Sequence, residues 1–418
     1  MAETRGLAGR SGQAWRETAL VALLLIALAV VLTWPATPRL GSAVHDLGDP
    51  VLTTWILAWD VHALATAPLR LFDANAFHPR RFTLAYTEHL LGLIPLAGAA
   101  RLAGAGLLLA HNLVWLATFP LTGLTLFWLV RHLTGHAGAA TLAAVLYAFS
   151  HFRFGQLGHV QILSHQWLPL MLLGLHRAAE TGGRWRDLGL GAGAFVLQAL
   201  SSGYQAFFAA TAGVLFLAWL GLPATRPPLA RLVARGAVFA GLAGLVLVPF
   251  FLPYRLVHTE IGLTRRFEEI ALYSARPASY LAAPAMNRWL GRATARLRAR
   301  EPVLWPGVIV LALALPGAAL AWRRGAGPPL ADRERTRWLD GLDVALAVVI
   351  LLTLTNWLFL GGFTARLGPL RFSQRHFAGT LLGLVAALAV RRLVLQGAAP
   401  VRGLGWLGRL GWPNARGY

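Results

Sequence analysis

The sequence predicts an all-α polytopic membrane protein, with about ten transmembrane helices and juxtamembrane helices in a long first extracytoplasmic loop. Three observations carry that expectation. The 418 residues are 56% hydrophobic and 13% charged, against about 25% charged in a soluble domain. Apolar runs near membrane-spanning length recur from Thr18 to Val390. The arginines gather in the connections between those runs, as membrane topology requires.

The net charge of +21 comes from 38 basic residues, all of them arginine. Their scatter through the connections argues against a nucleic-acid-binding face. Arginine without lysine, beside abundant Ala, Gly, Leu and Pro, fits a GC-rich bacterial source. The absence of cysteine excludes disulfides and thiol chemistry.

The first span is expected at about 17–34. Arg5, Arg10 and Arg16 precede it, and it ends at Trp34-Pro35 without a small-residue cleavage site. It is therefore a retained helix with its start in the cytoplasm. Segment 35–106 follows as the first outer loop. Further apolar runs are expected at about 107–130, 137–150, 163–176, 187–202, 204–222, 236–252, 303–322, 342–361 and 374–392. His89 to Ala110 decides the topology. Laid on the outer surface as an amphipathic helix, it leaves Arg131, Arg177, Arg184, Arg186 and the later clusters inside. The loop 253–302 then lies outside, where a long loop is weakly governed by its charge. The spans form a single transmembrane domain, 1–396, and the Gly-rich tail, 397–418, is expected to be frayed.

The first outer segment opens HDLGDPVLTTWILAWDVHAL, residues 45–64. Gly48 and Pro50 bracket Asp49, a turn that opens a helix. Leu52, Trp55, Ile56, Trp59 and His62 recur at helical spacing, with the tryptophans placed for a membrane interface. Asp49 falls at the helix N-terminus, where the dipole favours an anion. Two roles stay open for it: an N-cap, or an acid that does chemistry. The crowding of His45, Asp46, Asp49, Asp60, His62, Asp73, His78 and Glu88 in one segment favours the second. The segment closes FHPRRFTLAYTEHLLG, with His78, Arg80, Arg81, Glu88 and His89 ahead of an apolar stretch that Thr87-Glu88 can open as a helix. Paired carboxylates suit general-base work or a bound cation; adjacent arginines suit a phosphate.

Three further outer segments carry polar groups. Segment 147–167 holds His151, Arg153, Gln156, His159, Gln161, His165 and Gln166. It reads as an interfacial segment with satisfied polar groups, as a metal site, or as a phosphate or sugar site built on Arg153 and His159. SSGYQ, 201–205, forms a tight turn with Tyr204 and Gln205 as sugar contacts. GPLRFSQRHF places Arg371 and Arg375 one helical turn apart, spaced to clamp a phosphate or to flank a span. Arg265, Arg266, Glu268 and Glu269 read as a salt-bridge group or a lid. The chain has no P-loop, no dinucleotide fingerprint in context and no H-E-x-x-H string, so a nucleotide-sugar donor is not expected.

A first span, then an outer segment that opens on an acid and closes on an acid–His element, is similar to the GT-C superfamily of polyprenyl-phosphate-sugar-dependent glycosyltransferases. The protein mannosyltransferases and lipid A aminoarabinose transferases carry an Asp-Glu pair early in that loop and a His-Pro-Pro-Leu or Lys-Pro-Pro-Leu element later. Here GDPVLTTW and FHPRRFTLAYTEHLLG stand in their places; the Asp-Glu dipeptide is absent and one of the tandem prolines is missing. The resemblance implies a sugar transferase at the outer face of a bacterial inner membrane. Asp49, with Asp46 as competitor, would act as base, and Glu88 would assist directly or through a divalent metal ion. The substrate contacts it implies are drawn from His45, His62, His78, Arg80, Arg81, His89, Arg153, His159, Tyr204, Gln205, Arg371 and Arg375. The partners would be a polyprenyl-phosphate sugar donor and membrane lipids, with no nucleic acid. Two rivals stand beside it. A lipid or lipid-linked-sugar flippase calls for polar groups deep inside spans, where this sequence is thin. A non-catalytic scaffold of the same fold is the other, since many members extend well past the point where this chain ends.

Overall fold

The computed structural model describes residues 2–180, 182–221, 229–262, 267–275, 277–285, 287–298, 304–323, 364–367 and 370–373. These are helical apart from one pair of short strands. The helices are α1 (Ala2–Leu32), α2 (Asp49–Thr66), α3 (Ile94–Leu102), α4 (Leu107–Thr134), α5 (Ala137–Ala148), α6 (His151–Phe154) and α7 (Val160–Leu163). There follow α8 (Trp167–Ala179), α9 (Trp185–Ala199), α10 (Gly203–Gly221), α11 (Leu229–Ile261), α12 (Phe267–Tyr273) and α13 (Val308–Arg323). Among the described residues, three stretches are long and apolar enough to cross a membrane: Gly12–Leu32, Leu107–Thr134 and Ala230–Ile261. Helices α5, α8, α9 and α13, of 12, 13, 15 and 16 residues, fall short of the ~20 that a straight span takes. The runs expected at 342–361 and 374–392, and the tail, lie outside the described residues.

The described residues divide into two compact units. The first comprises the described parts of 1–178, 182–213 and 237–273. Within it α1 and α4 run antiparallel, and three contacts fix the direction. Arg131 near the end of α4 donates to Glu17 at the middle of α1 at 2.9 Å. Further along, Gly123 packs so closely on Leu25 that a Cβ would press on both leucine methyls at 2.8 Å. At the opposite end, Asn112 donates to the carbonyls of Leu40 and Ala43, both at 2.7 Å. The end of α1 and the start of α4 therefore lie at the same end of the pair. The chain between them needs no membrane crossing, and α3, the one helix of its closing part, has only nine residues.

Helix α2 buries the stripe Pro50, Thr53, Ile56, Leu57, Asp60 and Ala63, spaced three and four apart on one face. It packs into a core that includes Leu84, Leu90, Leu93, Val114 and Phe119. Trp55 and Trp59, expected to face a membrane interface, give their indole N–H groups to the protein. They turn onto the returning chain, Trp59 donating to the Leu71 carbonyl at 2.7 Å and Trp55 to Asn75 at 3.1 Å. An indole N–H with a protein partner is satisfied without headgroups.

Gly92 sets the next approach. Its N–H donates to the Leu200 carbonyl at 2.9 Å. A Cβ there would collide with the Leu197 carbonyl and the Ser201 hydroxyl. Only glycine lets the 88–93 segment lie directly on the α9–α10 junction. Thr87 is extended, and no α-helix opens at Thr87-Glu88; the turn 91–93 and then α3 come later.

The second unit holds the remaining described residues. Ala179, Leu232, Phe216 and Leu217 pack together in it. Ala283 donates to the Thr294 hydroxyl at 3.0 Å. Strands β1 (Thr364–Leu367) and β2 (Leu370–Ser373) pair antiparallel, with Arg366 opposite Arg371. This corrects the expected helical turn from Arg371 to Arg375: Arg371 lies on a strand, and Arg375 lies outside the described residues. The expected loop 253–302 is also corrected at its start, since α11 runs on to Ile261.

Candidate functional site

Asp49 is the first residue of α2, and Gly48 holds the N-cap position. The N-cap role is thereby excluded for Asp49. Its half-exposed carboxylate instead meets His159, with Oδ2 3.3 Å from Nε2. His159 is the residue before α7 and begins the short helix that turns the 151–166 connection back onto the site. Asp46 faces the same connection. Its Oδ1 accepts the Gly48 N–H at 2.8 Å, and a Cβ on Gly158 would press on its Oδ2. Asp46 thus shapes the turn that presents Asp49, and no short polar contact links it to His159.

Glu88 comes from the far end of the segment that α2 opens. Its Oε1 accepts the Ser202 hydroxyl at 2.9 Å and the Gly203 N–H at 2.7 Å, and the Tyr204 N–H adds a further hydrogen bond. The Gly203 and Tyr204 N–H groups are unpaired donors of the first turn of α10, where the helix dipole favours a negative charge. Burial holds the carboxyl above its ordinary range, the three hydrogen bonds pull it down, and the charge of Asp49 raises it again. Asp49 and Glu88 are therefore within electrostatic reach, though 39 positions apart in sequence.

Behind Glu88 lies a buried polar cluster, of which the sequence reading placed Asp60 among the crowded acids and His89 among the substrate contacts. Asp60 is fully buried, and its Oδ2 accepts the Leu90 N–H at 3.1 Å. Its Oδ1 has no partner among the described residues. Burial pushes its carboxyl up to about 7, with the Leu90 N–H pulling the other way. His89 is buried among Phe72, Phe250, Phe251 and Tyr254. That setting pushes its imidazole down to about 4. It makes His89 a core histidine and removes it from the expected substrate contacts. The Tyr254 hydroxyl ties α11 to this segment, accepting the His89 N–H and donating to the Thr87 carbonyl, both at 3.0 Å. The signal for Asp60 was present in the sequence: an acid on the apolar face of α2.

The cationic candidates are dispersed. Arg153 is turned into the protein, 1% exposed. It donates to the Leu163 carbonyl at 2.6 Å and the Thr118 carbonyl at 3.1 Å. Its guanidinium carbon lies 4.9 Å from the Phe119 ring centroid. Burial lowers it to about 10, so it stays charged and acts as a buried brace, and it does not reach a phosphate as expected. Arg81 faces Asp73 at 3.9 Å, and Arg80 faces Glu260 at 3.8 Å. The Arg80–Glu260 pair is exposed on both sides and worth little to stability, while Asp73 is largely covered. Asp73 also accepts the Phe82 N–H at 3.0 Å, closing its loop. His62 and His78 are exposed away from these contacts, His62 beside Trp59. Gln205 is buried, its amide nitrogen 3.0 Å from His165 Nε2, while the Tyr204 ring is 54% exposed. Arg371 belongs to the second unit.

A polar chain fixes the mouth of α2 from below. The Asn112 amide N–H groups go to two carbonyls, so its oxygen faces His111 Nδ1 at 3.1 Å. That nitrogen must carry a hydrogen, which leaves Nε2 as an acceptor for the Thr53 hydroxyl at 3.0 Å. The Thr53 hydroxyl also lies 2.9 Å from the Asp49 carbonyl, and its one proton serves either that carbonyl or His111. His111 and Asn112 were missed, although a polar pair inside an apolar run is a readable signal. They line a cavity of about 320 Å³ together with Trp34, Arg39, His45 and Trp115.

Asp46, Asp49, Glu88 and His159 do not form a group of three ligand atoms within 4.8 Å of one another. As placed, they do not make a site for the divalent ion that the resemblance implies. No protein-family model matches the chain, and neither a curated protein nor a solved structure matches it.

Proposed function

We propose that this chain is an integral membrane glycosyltransferase of the GT-C type, moving a sugar from a polyprenyl-phosphate donor to an acceptor at the extracytoplasmic face. The observation that carries this reading is that the charge of Asp49 acts on the buried Glu88 carboxyl, the two residues coming from opposite ends of segment 45–93. The three apolar helices and the antiparallel pairing of α1 with α4 support a membrane setting with segment 33–106 on one side. About ten spans, a cytoplasmic N-terminus and a bacterial inner membrane belong to the same proposal, and the arginine distribution favours them.

In this reading Asp49 accepts the acceptor hydroxyl's proton, and His159 holds its carboxylate in position. Glu88, shifted toward protonation by burial, orients the sugar while it caps α10. No metal ion takes part in the steps assigned to these residues. A correctly placed general base contributes about 10²–10⁴ in rate. The test is purified protein in proteoliposomes, offered a panel of polyprenyl-phosphate sugars. Release of the polyprenyl phosphate with sugar transfer supports the proposal. Movement of the intact lipid across the bilayer without transfer favours a flippase instead.

A further inference from the structure

We propose that the cavity beside α1 and α4 seats the phosphate-bearing end of a single-chain membrane lipid, with Arg39 as its phosphate contact. The proposal rests on the glycosyltransferase reading and names the donor's seat within it.

Three features of the cavity point to this occupant. Its rim holds Leu32 and Trp34, 46% and 67% exposed, where the first membrane-length helix ends. A ligand entering there comes from the lipid, and an exposed Trp at a span's end sits at headgroup level. Its walls are apolar, with Trp115, Val44 and Leu157, which suits a hydrocarbon chain. Its polar side carries Arg39, exposed and with no ion-pair partner among the described residues. Of the other arginines in 33–106, Arg70, Arg80 and Arg81 each face a carboxylate and Arg101 donates to the Ala105 carbonyl. A lipid phosphate supplies Arg39 with the bidentate acceptor it lacks.

The volume, about 320 Å³, is at the lower end of small-ligand cavities. It takes one phosphate and the start of one hydrocarbon chain. The direction also fits the chemistry. Pro50 lines the cavity and Asp49 is its neighbour, so a group carried on the phosphate is delivered toward the Asp49–His159 pair. Arginine at the leaving phosphate stabilises charge that grows in the transition state.

The absence of cysteine gives a clean test. Ala43 lines the cavity and is exposed, so Ala43→Cys reports occupancy through its rate of maleimide labelling. Farnesyl phosphate is expected to protect this cysteine saturably, while farnesol and inorganic phosphate at equal concentration do not. Arg39→Gln should raise the half-protecting concentration by about tenfold or more, and Arg39→Lys should restore most of it. Equal protection by farnesol, or by the two-chain phosphatidylglycerol, overturns the proposal, and neither comparison depends on an Arg39 variant folding. Protection unchanged in Arg39→Gln overturns the role of Arg39. Asp49→Asn should leave protection intact, which separates the two readings. A protected cysteine without sugar transfer counts against the enzyme, whereas transfer without protection counts against this seat alone.

Discussion

The Glu88 carboxylate accepts the backbone N–H of Gly203 at 2.7 Å, so an acid of the first outer segment closes the first turn of a helix that starts 115 residues later. The same oxygen takes the Ser202 hydroxyl. Glu88 therefore has two duties, holding α10 and placing a carboxyl near Asp49, and they separate by substitution.

Glu88→Gln keeps an oxygen for the Gly203 N–H and removes the acid. It should unfold within about 1 kcal/mol of the parent while losing turnover on the order of 10²-fold. Glu88→Ala loses the cap as well, with about 1–2 kcal/mol of stability. Thermal unfolding in detergent beside a donor-turnover assay checks both. Equal turnover in Glu88→Gln and the parent would leave Glu88 a cap and nothing more.

His159 stands 3.3 Å from Asp49, and the account makes it a positioning residue. His159→Gln should lower kcat by about tenfold or more with KM for the donor little changed. A rise in KM alone would mean that His159 binds substrate and does not orient the acid.

Arg153 tests a structural reading against the expected phosphate role. Arg153→Ala strands the Leu163 and Thr118 carbonyls that it now satisfies. The cost should be about 3 kcal/mol or more, read as a fall in unfolding temperature. Full stability with a selective loss of donor affinity would reverse the assignment.

The buried pair gives a pH signature with opposite signs. Asp60 titrates near 7 when folded, against 3.8 as its ordinary value. The folded state therefore binds more protons than the unfolded state between those limits, and stability falls as pH rises through them. His89 titrates near 4 against 6.5. There the unfolded state binds more protons, so stability rises with pH over that window. The two trends oppose each other from about pH 4 to 6.5. Asp60→Asn, which keeps an acceptor for the Leu90 N–H, should leave the rising trend exposed. Unfolding midpoints from pH 4 to 8 check this, and a profile unchanged by Asp60→Asn would contradict the buried titration.

Local sequence carried the start of α2 well, because Gly48-Asp49-Pro50 is a helix-opening turn whatever surrounds it. It also showed α4 as a long apolar helix. It did not carry the partners. Glu88 looked like the opening of its own helix, and its actual donors lie more than a hundred residues on. Arg153 sat among polar neighbours and read as an outer-loop cation, yet its burial depends on carbonyls that only the packing of α4 and α7 supplies. Asp60, His111 and Asn112 were legible as polar residues in apolar stripes. Arg39 stood out only once the cavity at the end of α1 was seen to include it.

The central claim is that Asp49 is the base. The most direct measurement is release of polyprenyl phosphate from a polyprenyl-phosphate sugar by purified Asp49→Asn protein, beside the parent in the same membrane. The account predicts a fall of about 10²-fold or more, with insertion and unfolding temperature unchanged. Turnover equal to the parent's, in correctly inserted protein, would contradict it.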